Sequence, residues 1–116
     1  MENDIDYKTY NMLFNSRASR YPVYTEPKSN IYCVPPYYTT FEKTPSISWT
    51  TNDRNKYITW FNQNYFNNNI PWGWNWSDYQ IHHIRQRDHG GKNDYANLVP
   101  VPQDIHSKFT TWWRSY

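Results

Sequence analysis

The sequence has little of what would place it in several large classes of protein. It has a single cysteine, Cys33, so no disulfide can form within the chain. A lone cysteine of this kind is expected to be a small buried hydrophobe. No stretch approaches the roughly 18 consecutive apolar residues of a membrane-spanning helix. The acidic, polar N-terminus lacks a basic region followed by an apolar one, which predicts no secretory signal. We therefore expect no membrane span; if the protein leaves its cell, we expect it to do so by a specialised export system or within a larger polypeptide.

A strong charge of one sign is also missing. The 12 basic and 10 acidic residues give a net charge of +2, which permits contact with nucleic acid without arguing for it. Leucine, isoleucine and valine are scarce, whereas the chain has 12 Tyr, 7 Trp and 5 Phe. Disordered chains are poor in aromatic residues, so this composition predicts a folded domain with a core of rings. The length of 116 residues suits a single domain, 1–116.

The first half of the chain gives few structural signals. Residues 1–50 are predicted to be an irregular, aromatic-rich segment, with short strands at "NIYCV" and "YYTTF" and turns at 29–30 and 35–36. A helix is predicted over residues 51–69, with its N-cap at Thr51, Asn52 or Asp53. Its apolar stripe comprises Tyr57, Ile58, Phe61 and Tyr65. The next segment, "WGWNW", is expected to be an aromatic plug under the elements that follow, with base stacking as the alternative.

Residues 77–116 have a more specific pattern. "DYQIHHI" and "NLVPVP" indicate two short strands, and the polar loop between them contains Gly90-Gly91 as a turn that needs positive φ. Pro102 suits the first position of a final helix, whose apolar residues are Ile105, Phe109, Trp112 and Trp113. The order strand, loop, strand, helix predicts the α+β class for the domain as a whole.

All four histidines lie between positions 82 and 106. Adjacent strand residues project to opposite faces, so His82 and His83 are suited to separate tasks, one toward a metal and one toward a substrate. A hairpin folded back on the final helix could bring His106 beside His82. Two neutral imidazoles would leave several coordination positions open, as catalytic metal sites require. By contrast, His89 beside the glycine turn is expected to be a solvated loop residue.

These residues resemble a known family. "IHHI", then "GGKNDYANL", then a histidine nine positions after the last asparagine are similar to the HNH nucleases with the ββα-metal fold. The subgroup with a paired His-His, found in the nuclease domains of colicins and other bacterial polymorphic toxins, is the most similar. The resemblance covers residues 78–116, about a third of the chain. It implies a ββα-metal motif packed on an aromatic-rich, partly helical N-terminal half.

The resemblance also implies roles for individual residues. His82 and His106 would be the metal ligands, and His83 the general base that activates the attacking water. Asn97 would tie the two ends of the hairpin together and hold the base in place. Thr110 stands where colicin-type members have a third histidine, so two protein ligands are expected. Such a site would hold one divalent ion, with Mg²⁺ or Mn²⁺ expected and Ni²⁺ or Zn²⁺ as alternatives.

The chemistry that follows is hydrolysis of a phosphodiester. A neutral imidazole can take the proton of water because its ordinary pKa of about 6.5 lies near working pH. Arg85, or with less support Arg87, could clamp the scissile phosphate. The resemblance implies a DNA endonuclease with low sequence specificity, because its contacts go mainly to phosphates.

The wider setting implied by the resemblance is a toxic effector of a bacterial competition system. Such a protein acts in the cytoplasm of the target cell and has a cognate immunity protein as partner. Three alternatives stay open: an RNA-cleaving toxin of the same fold, a phage or mobile-element HNH endonuclease, and a non-catalytic binding domain stabilised by zinc. The last is disfavoured because structural zinc usually takes four ligands rich in cysteine.

Overall fold

A computed structural model describes residues 15–33 and 42–116. The elements in these ranges are two helices, two small antiparallel sheets and short 3-10 turns, and the mixed α+β class is thereby confirmed. The strands are β1 (Tyr24–Thr25), β2 (Tyr32–Cys33), β3 (Tyr79–His83) and β4 (Leu98–Pro102), and the helices are α1 (Thr51–Tyr65) and α2 (Gln103–Arg114). None of the helices in these ranges is long and apolar enough to cross a membrane.

The hairpin of β3 and β4 is the centre of the molecule. Tyr79 pairs with Pro102 and His83 with Leu98, in antiparallel register. The prolines of β4, Pro100 and Pro102, are two residues apart, so both backbone nitrogens lie on the same side of the strand. That spacing leaves the alternate residues free to donate to β3, which is how an edge strand tolerates proline.

The two faces of the hairpin are covered by different aromatic clusters. Val99 and Val101 lie on the face that packs against α2, together with the buried rings Tyr21, Phe109, Trp112 and Trp113. Ile81 and Leu98 lie on the other face, which packs against α1 through Tyr57, Phe61 and Phe66. Strand alternation therefore sends His82 toward α2 and His83 toward α1.

Helix α1 begins at Thr51, the first residue of the predicted range, but its N-cap and its end differ from the prediction. Its N-cap is Thr50, whose hydroxyl accepts from Asp53 N (3.1 Å) while the Asp53 carboxylate accepts from Thr50 N (2.9 Å). The predicted cap positions are wrong because Asp53 is the third helical residue and reaches back to the cap. The helix ends at Tyr65 rather than 69, since Asn67 and Asn68 take positive φ. Tyr57 and Phe61 are buried, whereas Tyr65 is exposed.

Residues 15–33 and 42–50 wrap around these elements, and the strands within them are β1 and β2. In the described part of "NIYCV", residues 30–33, the strand is Tyr32–Cys33. The segment "YYTTF" and the turn at 35–36 lie outside the described residues. Tyr21 fixes the wrapping by donating its hydroxyl to Ile84 O (2.9 Å) and packing on Trp112 (4.9 Å between ring centroids). Trp112 in turn donates its indole N–H to Ser19 O (2.8 Å).

Part of the segment "WGWNW" forms the expected aromatic plug, through Trp74 and Trp76. Trp74 stacks on Tyr79 with 4.0 Å between ring centroids, and Trp76 packs on Phe61. Trp72, in contrast, is fully exposed. At the start of α2, Pro102 is the N-cap rather than the first helical residue, because it is still paired with Tyr79 in the sheet.

Candidate active site

His82 is buried on the α2 side of the hairpin. Its ring stacks on Phe109 (4.3 Å between centroids) and lies edge-on to His106 (5.7 Å), which is in the first turn of α2. Its Nε2 atom is fully buried and has no hydrogen-bond partner among the described residues. A buried polar atom without a partner is costly and marks a place where a ligand would be favourable.

His83 is held from the opposite face. Its Nε2 lies 2.9 Å from Asn93 Oδ1, and Asn93 Nδ2 donates to Ser48 O (2.9 Å). Because the Asn93 amide nitrogen is used by Ser48, its oxygen must be the acceptor toward His83. The neutral ring then carries its proton on Nε2 and its lone pair on Nδ1. Trp49 packs edge-on against the same ring at 4.8 Å, so the imidazole is fixed on two sides.

The three histidines of the site are all held in the neutral form. Burial, together with the charges of His106 and His83, places the pKa of His82 well below its ordinary value. Burial also lowers the pKa of His83, which the Asn93 hydrogen bond raises and the charges of Arg87 and His106 lower further. Burial lowers the pKa of His106 as well. Neutral imidazoles can bind a metal or accept a proton, whereas imidazolium can do neither.

The three histidines line one cleft of about 350 Å³ at the free edge of β3. His82 and His83 point to opposite faces of the strand, yet both rings reach this edge. The lining of this cleft also includes Trp49, Gln86, Arg87, Asp88 and Thr110. This cleft is called the histidine cleft hereafter.

Asn97 bridges the two ends of the hairpin loop. Its side-chain oxygen accepts from Arg85 N (2.9 Å), and its nitrogen donates to Arg85 O (3.1 Å) and Lys92 O (3.0 Å). Its backbone oxygen accepts from Ile84 N (2.9 Å), next to His83. One side chain therefore sets the path of the loop on both sides and, through it, the position of His83 and Asn93.

The two arginines proposed as phosphate contacts have different environments. Arg85 donates from Nε to His89 O (2.6 Å). Arg85 is not among the described residues that line the histidine cleft. Arg87 does line that cleft, and its guanidinium donates to Ile47 O (2.7 Å). The geometry therefore favours Arg87, the less favoured of the two from sequence, as the cation that meets a substrate.

His89 and the glycine pair form a compact turn behind the cleft. The expectation of a solvated His89 is wrong: its ring is buried, packs on Trp113 (4.9 Å) and lies 2.9 Å from Asp88 Oδ1 through Nδ1. The turn folds this ring inward because Gly90 takes φ 87°. Gly91 has no positive φ, but a Cβ there would overlap with Arg85 O, so close approach explains this glycine.

The donor set fits one divalent ion with open coordination positions. Within residues 15–33 and 42–116, no group of three or more His, Cys, Asp or Glu side chains is arranged to hold a metal. A pair of neutral histidines is present instead, one with an unpartnered buried nitrogen. Two imidazole ligands, completed by water and phosphate oxygens, suit a catalytic site better than a structural one.

Sequence reasoning missed the residues that hold His83. Asn93 lies inside the quoted motif "GGKNDYANL", and its position opposite the end of β3 was the one available signal. Ser48 and Trp49 gave no signal, since the segment before α1 has no periodicity and reaches the cleft only through tertiary packing.

Comparison with protein-family models, curated proteins and solved structures found no match.

Proposed function

We propose that this chain is a metal-dependent endonuclease that hydrolyses phosphodiester bonds, with DNA as its substrate. One observation carries the proposal: the unpartnered Nε2 of His82 lies beside His106 in the cleft that also holds His83 with its protonation state fixed. The order of β3, β4 and α2 supports the ββα-metal arrangement that the motif resemblance implies. Low sequence specificity is expected because the proposed contacts go mainly to phosphates.

In this proposal His82 and His106 would hold a divalent ion. When bound, such an ion neutralises charge on the phosphoryl and leaving oxygens. His83 accepts the proton of the attacking water at Nδ1, because Asn93 occupies Nε2. Arg87 contacts a non-bridging phosphate oxygen, and Asn97 keeps the loop that carries His83 and Asn93 in register. Arg85 acts through the loop rather than on the phosphate.

The wider role proposed is that of a toxic effector in bacterial competition, neutralised by an immunity protein. This part rests on the sequence resemblance of residues 78–116. An RNA substrate would use the same cleft and the same base, so the assay must offer both nucleic acids.

Metal binding tests the ligand assignment without any cleavage. Mn²⁺, Ni²⁺ or Zn²⁺ titrated into metal-free protein should raise the melting temperature, since a ligand at about 100 times its Kd stabilises by about 2.7 kcal/mol. His106→Gln should weaken binding by at least about tenfold, because half of the protein ligand set is lost. Thr110→Val is the matched control in the same cleft and should bind as the wild type does. Equal metal affinity in His106→Gln and wild type would contradict the assignment.

A further inference from the structure

A second cleft lies next to the histidine cleft and shares three of its lining residues. It has a volume of about 510 Å³, and the shared residues are Gln86, Asp88 and Thr110. The second cleft adds Lys43, Arg114 and the aromatic side chains Trp113 and Tyr116. The two clefts therefore form a continuous depression on one side of α2.

The charge along this depression differs from that of the chain as a whole. The chain has nearly balanced charges, 12 basic and 10 acidic. Among the described residues that line the two clefts, the charged side chains include Arg87, Lys43 and Arg114, and the one acidic side chain is Asp88. That carboxylate is engaged by His89 Nδ1 at 2.9 Å. Among the described residues, no carboxylate forms an ion pair with Lys43 or Arg114, so an anion there would not have to displace one.

Helix α2 places Arg114 at a useful distance from the histidine cleft. His106, Thr110 and Arg114 follow one another at intervals of four residues, so they lie on one side of the helix. Eight residues at 1.5 Å each put Arg114 about 12 Å from His106 along the helix axis.

Lys43 comes from the segment that crosses the loop of the hairpin. Its neighbour Thr44 donates from its backbone nitrogen to Asp88 O (2.7 Å) and accepts at Oγ1 from Gly90 N (2.9 Å). The backbone of Lys43 is therefore anchored beside Asp88, whereas its side chain is exposed. Lys43 and Arg114 therefore both line the second cleft.

We infer that the second cleft binds the phosphodiester backbone of the nucleic acid next to the bond that is cut, through Lys43 and Arg114. This inference rests on the proposed function, since it extends the path of the same strand. The ligand class is a polynucleotide, and its recognised groups are the phosphates that flank the scissile one. Tyr116, which is half-buried, also lines the second cleft.

The test measures binding of a 16-nucleotide single strand in EDTA over a range of salt concentrations, by fluorescence anisotropy. The double variant Lys43→Gln/Arg114→Gln should bind roughly tenfold to fiftyfold more weakly than wild type at 0.1 M salt. Its salt slope should fall by about 1.4, or about 0.7 for each lost phosphate contact. Single strands of DNA and RNA are both used, so that the two sources of the same phosphate backbone are compared.

The control is the double variant Arg17→Gln/Lys108→Gln, which also removes two positive charges but from the cleft on another face of α2. It should keep the wild-type salt slope. An equal loss in the control and in Lys43→Gln/Arg114→Gln would overturn the inference, because it would show only bulk charge. So would a wild-type slope in Lys43→Gln/Arg114→Gln.

Hydrolysis of a small diester, bis(p-nitrophenyl) phosphate, by the wild-type protein with Mn²⁺ separates this inference from the proposed function. If the small diester is cut while Lys43→Gln/Arg114→Gln binds like wild type, the second cleft is not the nucleic-acid path and the nuclease proposal stands. If strands bind through Lys43 and Arg114 but no diester is cut, the cleft assignment stands and the nuclease proposal fails. A wild type that neither binds strands nor cuts the diester overturns both.

Discussion

At the scale of single residues, the proposed catalysis depends on which nitrogen of His83 is free to accept a proton. Asn93 holds Nε2 at 2.9 Å and is itself oriented by Ser48 O. Nδ1 is therefore the basic atom, and its lone pair is available because burial lowers the pKa of the ring. A ring free to rotate would spend part of its time with the wrong nitrogen toward the water.

Replacing Asn93 tests this arrangement. Asn93→Leu keeps the branching at Cγ and has no acceptor, so the ring loses its orientation and kcat is expected to fall by about 10–100-fold, the usual range for general-base catalysis being 10²–10⁴. KM should change little because Asn93 does not line the histidine cleft. Asn93→Asp keeps an acceptor and adds a negative charge, which raises the pKa of His83. The acid limb of its rate profile should therefore move to higher pH.

The pH profile distinguishes positioning from simple stability. If Asn93 only supported the fold, Asn93→Asp would change the amplitude of the rate and leave the position of the acid limb where it is in wild type. Thermal melts of all three proteins show how much of each change comes from folding.

At the scale of elements, the hairpin loop determines whether the site is assembled. Gly91 packs directly against Arg85 O, and Asn97 bridges Arg85 and Lys92. These contacts join the end of β3 to the start of β4, so a change in the loop is transmitted to His83 and Asn93. The loop is therefore a structural requirement of the site although it contains neither proposed metal ligand.

A pair of glycine substitutions tests the close approach. Gly91→Ala would force its Cβ into Arg85 O, so unfolding free energy should fall by about 3 kcal/mol or more, as for severe overpacking. Gly73→Ala is the control: it has φ 82° but nothing within 4 Å of the added Cβ. It should cost only about 1–2 kcal/mol for the left-handed conformation. Urea unfolding gives both values, and equal losses would contradict the close approach.

Asn97→Asp tests the bridge within the same loop. The carboxylate can still accept from Arg85 N, but it cannot donate to Arg85 O or Lys92 O. Two lost hydrogen bonds and a carboxylate facing carbonyl oxygens should cost about 2–4 kcal/mol of stability. Cleavage should fall with it even at temperatures where the variant is fully folded. A variant with wild-type stability and activity in urea melts and cleavage assays would show that the bridge is dispensable.

At the scale of the whole molecule, the three histidines of the cleft link the fold to pH. The pKa values of His82, His83 and His106 are all lowered in the folded protein, first of all by burial. The unfolded chain binds protons at these positions as the pH falls below about 6.5, whereas the folded chain does not. Their contribution to stability is therefore present above pH 6.5 and lost as the pH falls toward the lowered values.

The free energy of unfolding in EDTA should accordingly decrease between pH 7.5 and pH 5.5. Each histidine that stays neutral in the folded state adds up to about 1.4 kcal/mol per pH unit to the slope. His82→Gln removes the most buried of the three and should give a shallower slope, whatever its absolute stability. A wild-type stability that is flat over this window would contradict the neutral state of the cleft.

Sequence reasoning predicted the C-terminal part of the fold well because its signals are local. Proline, glycine and apolar spacing in residues 77–116 determine where β3, β4 and α2 lie, and the pairing of His82 with His106 follows from their order. The segment 42–49 could not be predicted, because Thr44, Ser48 and Trp49 act through partners about 40 residues away. The burial of His89 was missed for the same reason, since its ring packs on the far end of α2.

One measurement tests the central claim most directly: cleavage of supercoiled plasmid and of total RNA, side by side, by wild type and His83→Ala. Each is assayed with EDTA, Mg²⁺, Mn²⁺, Ni²⁺ and Zn²⁺. The account predicts metal-dependent nicking of plasmid by wild type and none by a folded, metal-binding His83→Ala. RNA cut with plasmid spared would keep the site and change the substrate. Cleavage by His83→Ala at the wild-type rate, or no cleavage of either substrate by metal-loaded wild type, would contradict the account.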